Sequence, residues 1–79
     1  MDLDAAVAAA VERTVAEHGD VVEGWLADRP KTWGFLAGRA VVACRALLGR
    51  PLTEAERRLV WDRLWRRLQE LRAGGAPGP

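Results

Sequence analysis

Apolar residues recur every three to four positions along four stretches of the chain, and glycine or proline stands in each break between them. This spacing is typical of amphipathic helices, which glycine and proline commonly end. The predicted helices run from a cap at Asp2 or Asp4 to about His18, from a cap at Asp20 to about Asp28, and from a cap at Thr32 to Leu48, where Gly49 ends the third helix. A capping box of Thr53 and Glu56 predicts that the last helix starts near Glu54. No run of useful length alternates with the period of a strand. The pattern predicts an all-α fold, a small bundle of four helices of which the second is short.

The third stretch, from Thr32 to Leu48, is apolar on two opposite sides, and its only charged residues are Arg39 and Arg45. One side carries Trp33, Leu36, Ala37, Ala40, Cys44 and Leu47. The opposite side carries Phe35, Val42 and Ala46. A helix that is apolar all round is usually buried. We therefore expect this helix to lie at the centre of the bundle, enclosed on both sides.

Two glycines, Gly34 and Gly38, lie four residues apart on a third strip of the same helix. Small residues at this spacing let another backbone come close, so we assign them, with Leu36 and Trp33, to helix packing. A larger side chain at Gly38 is then expected to push a neighbouring helix away and to destabilise the fold.

Length and composition limit the remaining possibilities. The 79 residues suffice for one small domain, which we place at residues 1–73, with 74–79 (Gly-Gly-Ala-Pro-Gly-Pro) as a flexible tail. A single cysteine and a single histidine exclude an intrachain disulfide and a Cys/His zinc site. No apolar run reaches the roughly 20 residues of a membrane span, and the acidic N-terminus is unlike a secretory signal. We expect a cytoplasmic protein.

The sequence has none of the usual patterns of an active site. It lacks a glycine-rich phosphate loop after a strand, a metal-ligand spacing and a nucleophile beside a base. Cys44 falls on the inner side of the central helix, where a small buried side chain is expected. We therefore expect a non-catalytic protein that needs no cofactor and no metal.

Charge is distributed unevenly along the chain. Residues 1–30 carry a net charge of −5, whereas residues 31–49 and 50–79 carry +3 each. The acidic and basic parts could attract each other within one fold or between copies, or the basic part could face a polyanion.

The last predicted helix concentrates the arginines. Its apolar stripe consists of Val60, Trp61, Leu64, Trp65, Leu68 and Leu71. Leu59 lies on the polar side, where a leucine has no evident partner in the core. The candidate interaction surface comprises Leu59, Arg63, Trp65, Arg66 and Arg67. The arginines could form a solvated face with ion pairs to interleaved acids, or contact phosphates beside a stacking Trp65; the acids favour the first interpretation.

A resemblance to a known family covers parts of the second, third and fourth predicted helices. The chain has Val22, Trp25 and Lys31, then Gly-Phe-Leu-Ala-Gly-Arg at 34–39, then Arg45 and a glycine turn before another helix. This arrangement resembles the tail subdomain of the GatB/YqeY family over about half the chain. Arg39 stands where the family has glutamine, and Val42 where it has lysine. The resemblance implies a small helical bundle and, in the tRNA-dependent amidotransferase, contact with tRNA.

Two functions follow from these observations. The first is a small helical binding module that acts on a protein partner or on a second copy of itself. The alternative, implied by the resemblance, is an accessory domain that binds RNA, in particular tRNA.

Overall fold

Residues 1–74, which the computed structural model describes, form four α-helices and contain no strand. These are α1 (Leu3–Glu17), α2 (Gly19–Leu26), α3 (Thr32–Leu48) and α4 (Glu54–Arg72). The prediction of an all-α bundle with a short second helix is confirmed. Of the predicted tail, only Gly74 is among the described residues, and positions 75–79 lie outside them.

Local sequence signals set several of the helix ends. Asp2 caps α1, because its carboxylate accepts a hydrogen bond of 2.8 Å from the Ala5 backbone N–H. Thr53 and Glu56 form a reciprocal capping box at the start of α4, with hydrogen bonds of 3.1 and 2.8 Å. Gly49 ends α3 with a φ of +72°, a left-handed conformation that suits glycine.

The start of α2 differs from the prediction of a cap at Asp20. The helix begins at Gly19, with only His18 between it and the end of α1, and no side chain caps it. His18 joins the two helices, since its N–H donates to the Thr14 carbonyl and its carbonyl accepts from the Val22 N–H, both at 3.0 Å. The chain therefore turns from α1 to α2 through nearly continuous backbone hydrogen bonding.

The start of α3 also differs, because Thr32 is its first helical residue and not its cap. The cap position falls on Lys31, whose φ is +69°. The Thr32 hydroxyl instead donates to the Arg29 carbonyl at 3.0 Å, which ties the loop before α3 to the helix.

A single hydrophobic core joins all four helices, and α3 packs against each of the other three. Leu36, Ala40 and Cys44 of α3 are fully buried, as predicted for one of its sides. The buried apolar residues are Ala6, Val7, Ala10, Val11, Val22, Trp25, Leu36, Ala37, Ala40, Cys44, Val60, Leu64 and Leu68. None of the helices formed by residues 1–74 is long and apolar enough to cross a membrane.

The opposite side of α3 faces solvent, so the prediction that this helix is enclosed on both sides is wrong. Phe35 is 44% exposed and Val42 is 48% exposed. The buried residues of α3 are the ones in the shared core with α1, α2 and α4. The helices α1, α2 and α4 cover one side of α3, and residues 1–74 form no further helix to cover the other.

Two of the four tryptophans are also more exposed than their place in the apolar stripe of α4 predicts. Trp61 is 39% exposed and Trp65 is 46% exposed. Trp65 makes edge-to-face contacts with Trp25, at a centroid distance of 5.7 Å, and with Trp33, at 5.4 Å. These two tryptophans border the stripe, whose centre is formed by buried Leu64 and Leu68. They leave aromatic surface open to solvent.

Candidate interaction surface

The three arginines of the predicted surface lie together. Arg63, Arg66 and Arg67 line one depression between α1 and α4, of about 400 Å³. Ala8, Glu12 and Glu70 complete its lining. We call it the arginine groove.

Two of these arginines bind the acidic first helix. The Arg63 guanidinium donates to the Asp4 carboxylate at 3.0 Å, and Arg67 donates to Glu12 at 2.9 Å. These pairs join residues almost sixty positions apart. Of the alternatives for the charge asymmetry, attraction within one fold is therefore observed. Such exposed pairs contribute little stability, about 0–1 kcal/mol each, but they fix the orientation of the side chains.

The third arginine is also paired. Arg66 lies 3.1 Å from Asp62, one turn earlier in α4, and Arg67 makes a second contact of 3.3 Å with Glu70. Each arginine of the groove thus has a carboxylate partner. A polyanion would have to displace these carboxylates or accept their repulsion, which disfavours phosphate binding here.

The five residues of the predicted surface do not form a single patch. Leu59 is about half exposed on the arginine side of α4, as predicted. Trp65 lies about 120° further round the helix, at 100° per residue, against Trp25 and Trp33. The predicted surface divides into an arginine side and a tryptophan side.

Gly34 and Gly38 do not mediate the close helix contact predicted for them. A Cβ atom added at either position would meet no heavy atom within 4 Å, and both residues are exposed. The reason is the exposure of this side of α3, which no other helix of residues 1–74 covers. Leu36, fully buried, and Trp33, partly buried against the core, do pack between helices.

The open glycines instead form part of a second depression, which we call the α3/α4 groove. It has a volume of about 400 Å³. Its lining consists of Trp33, Gly34, Ala37, Gly38, Val41, Arg57 and Trp61. Apart from Arg57, these residues are apolar or glycine, and none is acidic. The sequence signal for this groove was the glycine pair, whose spacing predicted a helix contact that residues 1–74 do not make.

In the part of the chain that the structure describes, several cationic side chains outside the arginine groove have no ion-pair partner. Among residues 1–74, five cationic side chains lie beyond 4 Å from any carboxylate: Arg29, Lys31, Arg39, Arg45 and Arg57. Arg57 lines the α3/α4 groove itself. Lys31 borders an adjoining depression that shares Trp33 and Gly34 with it. The groove is therefore apolar inside with Arg57 at its edge, whereas the adjoining depression contains both Lys31 and Asp28, the latter paired with Arg72.

The pKa shifts of Cys44 and Glu56 follow from their structural surroundings. Burial, and then the nearby Glu56 carboxylate, raises the pKa of the Cys44 thiol, which keeps it protonated. Hydrogen bonds from Arg50 and from the Thr53 backbone N–H, the latter part of the α4 capping box, lower the pKa of Glu56 to about 2. Within residues 1–74, no three histidine, cysteine or acidic side chains are grouped as a metal site requires.

Comparison of the chain with protein-family models, with curated proteins and with solved structures found no match.

Proposed function

We propose that this chain is a small, non-catalytic helical binding module that binds another protein chain through the α3/α4 groove. The observation that carries the proposal is the groove itself, an uncovered apolar depression with an open glycine floor and the half-exposed Trp61 at its wall. Contiguous exposed apolar surface rimmed by polar groups is typical of interaction sites. Tryptophan and arginine are the residues most enriched where binding energy concentrates.

The arginine groove is a weaker candidate for the same role. Its three arginines already have carboxylate partners, and its lining contains no aromatic residue. Leu59 adds a single exposed leucine nearby, which is common on protein surfaces.

RNA binding is the second candidate function. The cations without an ion pair support it, as do the exposed tryptophans, because stacking groups beside unpaired cations are typical of single-strand binding. The resemblance to the GatB/YqeY tail implies tRNA as the ligand. The pairing of Arg63, Arg66 and Arg67 moves this candidate away from the arginine groove, toward Arg57 and the basic residues of α3.

The test of the proposed function uses three synthetic amphipathic helical peptides and the chain itself as probes. The peptides share one leucine stripe and differ only in carrying Glu, Gln or Lys at the other positions. Calorimetric titration measures peptide binding, and sedimentation equilibrium measures self-association. We expect binding or self-association that Gly38→Leu abolishes, because the added side chain fills the groove. Ala16→Leu, which adds the same side chain at an exposed position of α1, is the matched control.

Two results would overturn the proposal. One is a chain that stays monomeric and binds none of the three peptides. The other is binding that Gly38→Leu and Ala16→Leu affect equally, which would place the contact elsewhere. Titration with bulk tRNA at two salt concentrations tests the second candidate, for which the logarithm of the affinity should fall by about 0.7–0.9 per phosphate contact for each tenfold rise in salt.

A further inference from the structure

The length of the α3/α4 groove matches that of a short helix face. Gly34 and Val41 stand at the two ends of its floor, seven residues or roughly 10 Å apart along α3. Helices that bind in grooves present apolar anchors at positions i, i+3 or i+4, and i+7, which span the same length. Trp33 and Trp61 form walls that apolar anchors can contact.

The glycines give the groove its depth. At Gly34 and Gly38 the α3 backbone has no side chain above it, and the space above each Cα contains no heavy atom within 4 Å of a Cβ position. A leucine or similar side chain can therefore reach the α3 backbone between Trp33 and Trp61.

The charge at the groove determines which helix it accepts. Arg57 lines the groove and has no carboxylate within ion-pair distance, although its neighbour Arg58 pairs with Glu54 at 2.9 Å. Lys31 borders the same end as Trp33 and Gly34. A carboxylate on the bound helix could form a charge-assisted hydrogen bond with Arg57, whereas a lysine there would be repelled.

A second copy of this chain does not supply such a helix from residues 1–74. The outer side of α3 carries Arg39 and Arg45 and would bring like charges together. The acidic α2 has already buried Val22 and Trp25 in its own core, which leaves Leu26 as its exposed large apolar residue. The acidic α1 has no exposed large apolar residue, and α4, which exposes Leu59, Trp61 and Trp65, carries more arginines than acids. None of the four helices therefore combines a free apolar stripe with acidic flanks.

From this geometry we infer that the α3/α4 groove binds an acidic amphipathic helix of a partner protein, with apolar anchors on the glycine floor and a carboxylate on Arg57. The inference rests on the proposed function and adds the chemistry of the partner. Arg57 then selects the partner by charge, and Trp33, Gly38 and Trp61 hold its apolar side.

The three peptides defined above test this inference. We expect the Glu peptide to bind at least about tenfold more tightly than the Gln peptide at low salt, and the Lys peptide to bind most weakly. Added salt should reduce the difference, because part of it is screened. Arg57→Glu should reverse the order, so that the Lys peptide binds best, and Arg57→Gln should bring the three affinities close together.

The matched control is Arg66→Glu. It changes the net charge by the same amount as Arg57→Glu, but on the opposite side of α4, 180° from Arg57 at 100° per residue. It should leave the order of the three peptides unchanged. Arg57 is exposed and lies near the N-terminus of α4, where an acidic residue is favourable, so both of its variants should fold. Far-UV circular dichroism checks this.

Each outcome separates the inference from the proposed function. Equal binding of the Glu and Gln peptides, or preference for the Lys peptide, would overturn the inference and leave the binding groove in place. If Arg66→Glu changes the order of the three peptide affinities as much as Arg57→Glu does, the role of Arg57 in charge selection is overturned. Binding of none of the peptides would overturn the inference, and if the chain also stays monomeric it would overturn the proposed function as well. Salt-dependent tRNA binding that Arg57→Glu removes, with no peptide binding, would assign the surface to RNA.

Discussion

Replacing Gly38 with alanine is expected to stabilise the isolated chain, although the sequence pattern alone predicted that a larger residue there would destabilise it. Gly38 lies in the interior of α3, where glycine is about 0.8–1.0 kcal/mol less favourable than alanine. The new methyl group would meet no heavy atom within 4 Å. The expected gain in the free energy of unfolding is therefore close to the full propensity difference, about 1 kcal/mol.

Gly24 provides the matched comparison, because it also lies inside a helix but has no free space. A Cβ atom there would lie 3.2 Å from the methyl carbon of Thr32 and 3.6 Å from Cδ of Arg29. The Thr32 hydroxyl is held by its hydrogen bond to the Arg29 carbonyl, which limits how far that methyl group can move. Gly24→Ala should therefore gain clearly less stability than Gly38→Ala.

Urea unfolding followed by tryptophan fluorescence measures both variants. A gain of 1 kcal/mol corresponds to a rise in Tm of about 4–8 °C for a domain of this size. If Gly38→Ala instead loses 0.5 kcal/mol or more, some part of the chain must close over the glycine, and the groove does not exist in solution. If Gly38→Ala and Gly24→Ala gain the same stability, the contacts of the added methyl group do not determine the effect of alanine at these two positions.

Three further predictions test other parts of the molecule. Glu56→Gln should reduce the loss of stability on acidification. Because the pKa of Glu56 is lowered to about 2 in the folded chain, its carboxylate stabilises the fold above the ordinary pKa near 4.5, and this contribution is lost as the pH falls toward 2. Urea melts across this pH range measure the effect. Leu64→Ala should cost about 2–5 kcal/mol, because Leu64 is fully buried in the shared core; an unchanged urea midpoint would contradict its position. Leu59→Asp should leave stability within about 0.5 kcal/mol and leave peptide binding intact, since Leu59 is half exposed and outside the α3/α4 groove; loss of binding in calorimetry would return the interaction surface to the arginine side.

The parts of the fold that the sequence predicted correctly depend on local chemistry. The capping box of Thr53 and Glu56 involves residues three apart, so its geometry is encoded in the sequence itself. The same is true of Gly49, whose position after an apolar helix predicts a left-handed end. The helical period likewise identified Leu36 and Cys44 as members of one face, and both residues are fully buried.

The parts that the sequence did not predict depend on the arrangement of helices. Period alone shows that α3 has two apolar sides, but not that Leu36 is covered while Val42 is half exposed. A pair of glycines four residues apart is equally compatible with a packed helix contact and with an open groove. The distinction between Arg63, paired with Asp4, and Arg57, without an ion pair, likewise requires the position of α1 beside α4.

The two exposed glycines of α3 lower the stability of the fold, and this loss of stability is relevant to the role of the α3/α4 groove. A domain of this length has roughly 3–5 kcal/mol of stability from one core. Gly38, inside α3, costs about 0.8–1.0 kcal/mol relative to alanine, and Gly34, in the first turn, adds a smaller cost. Nothing inside residues 1–74 requires glycine there, because both sites are open and both residues are helical. Positions where a local rule is broken without an internal reason are typical of functional sites. If that holds here, alanine at Gly38 should increase stability and weaken binding of the Glu peptide in the same protein, and stabilisation without any loss of binding would show that the depth of the groove is not used.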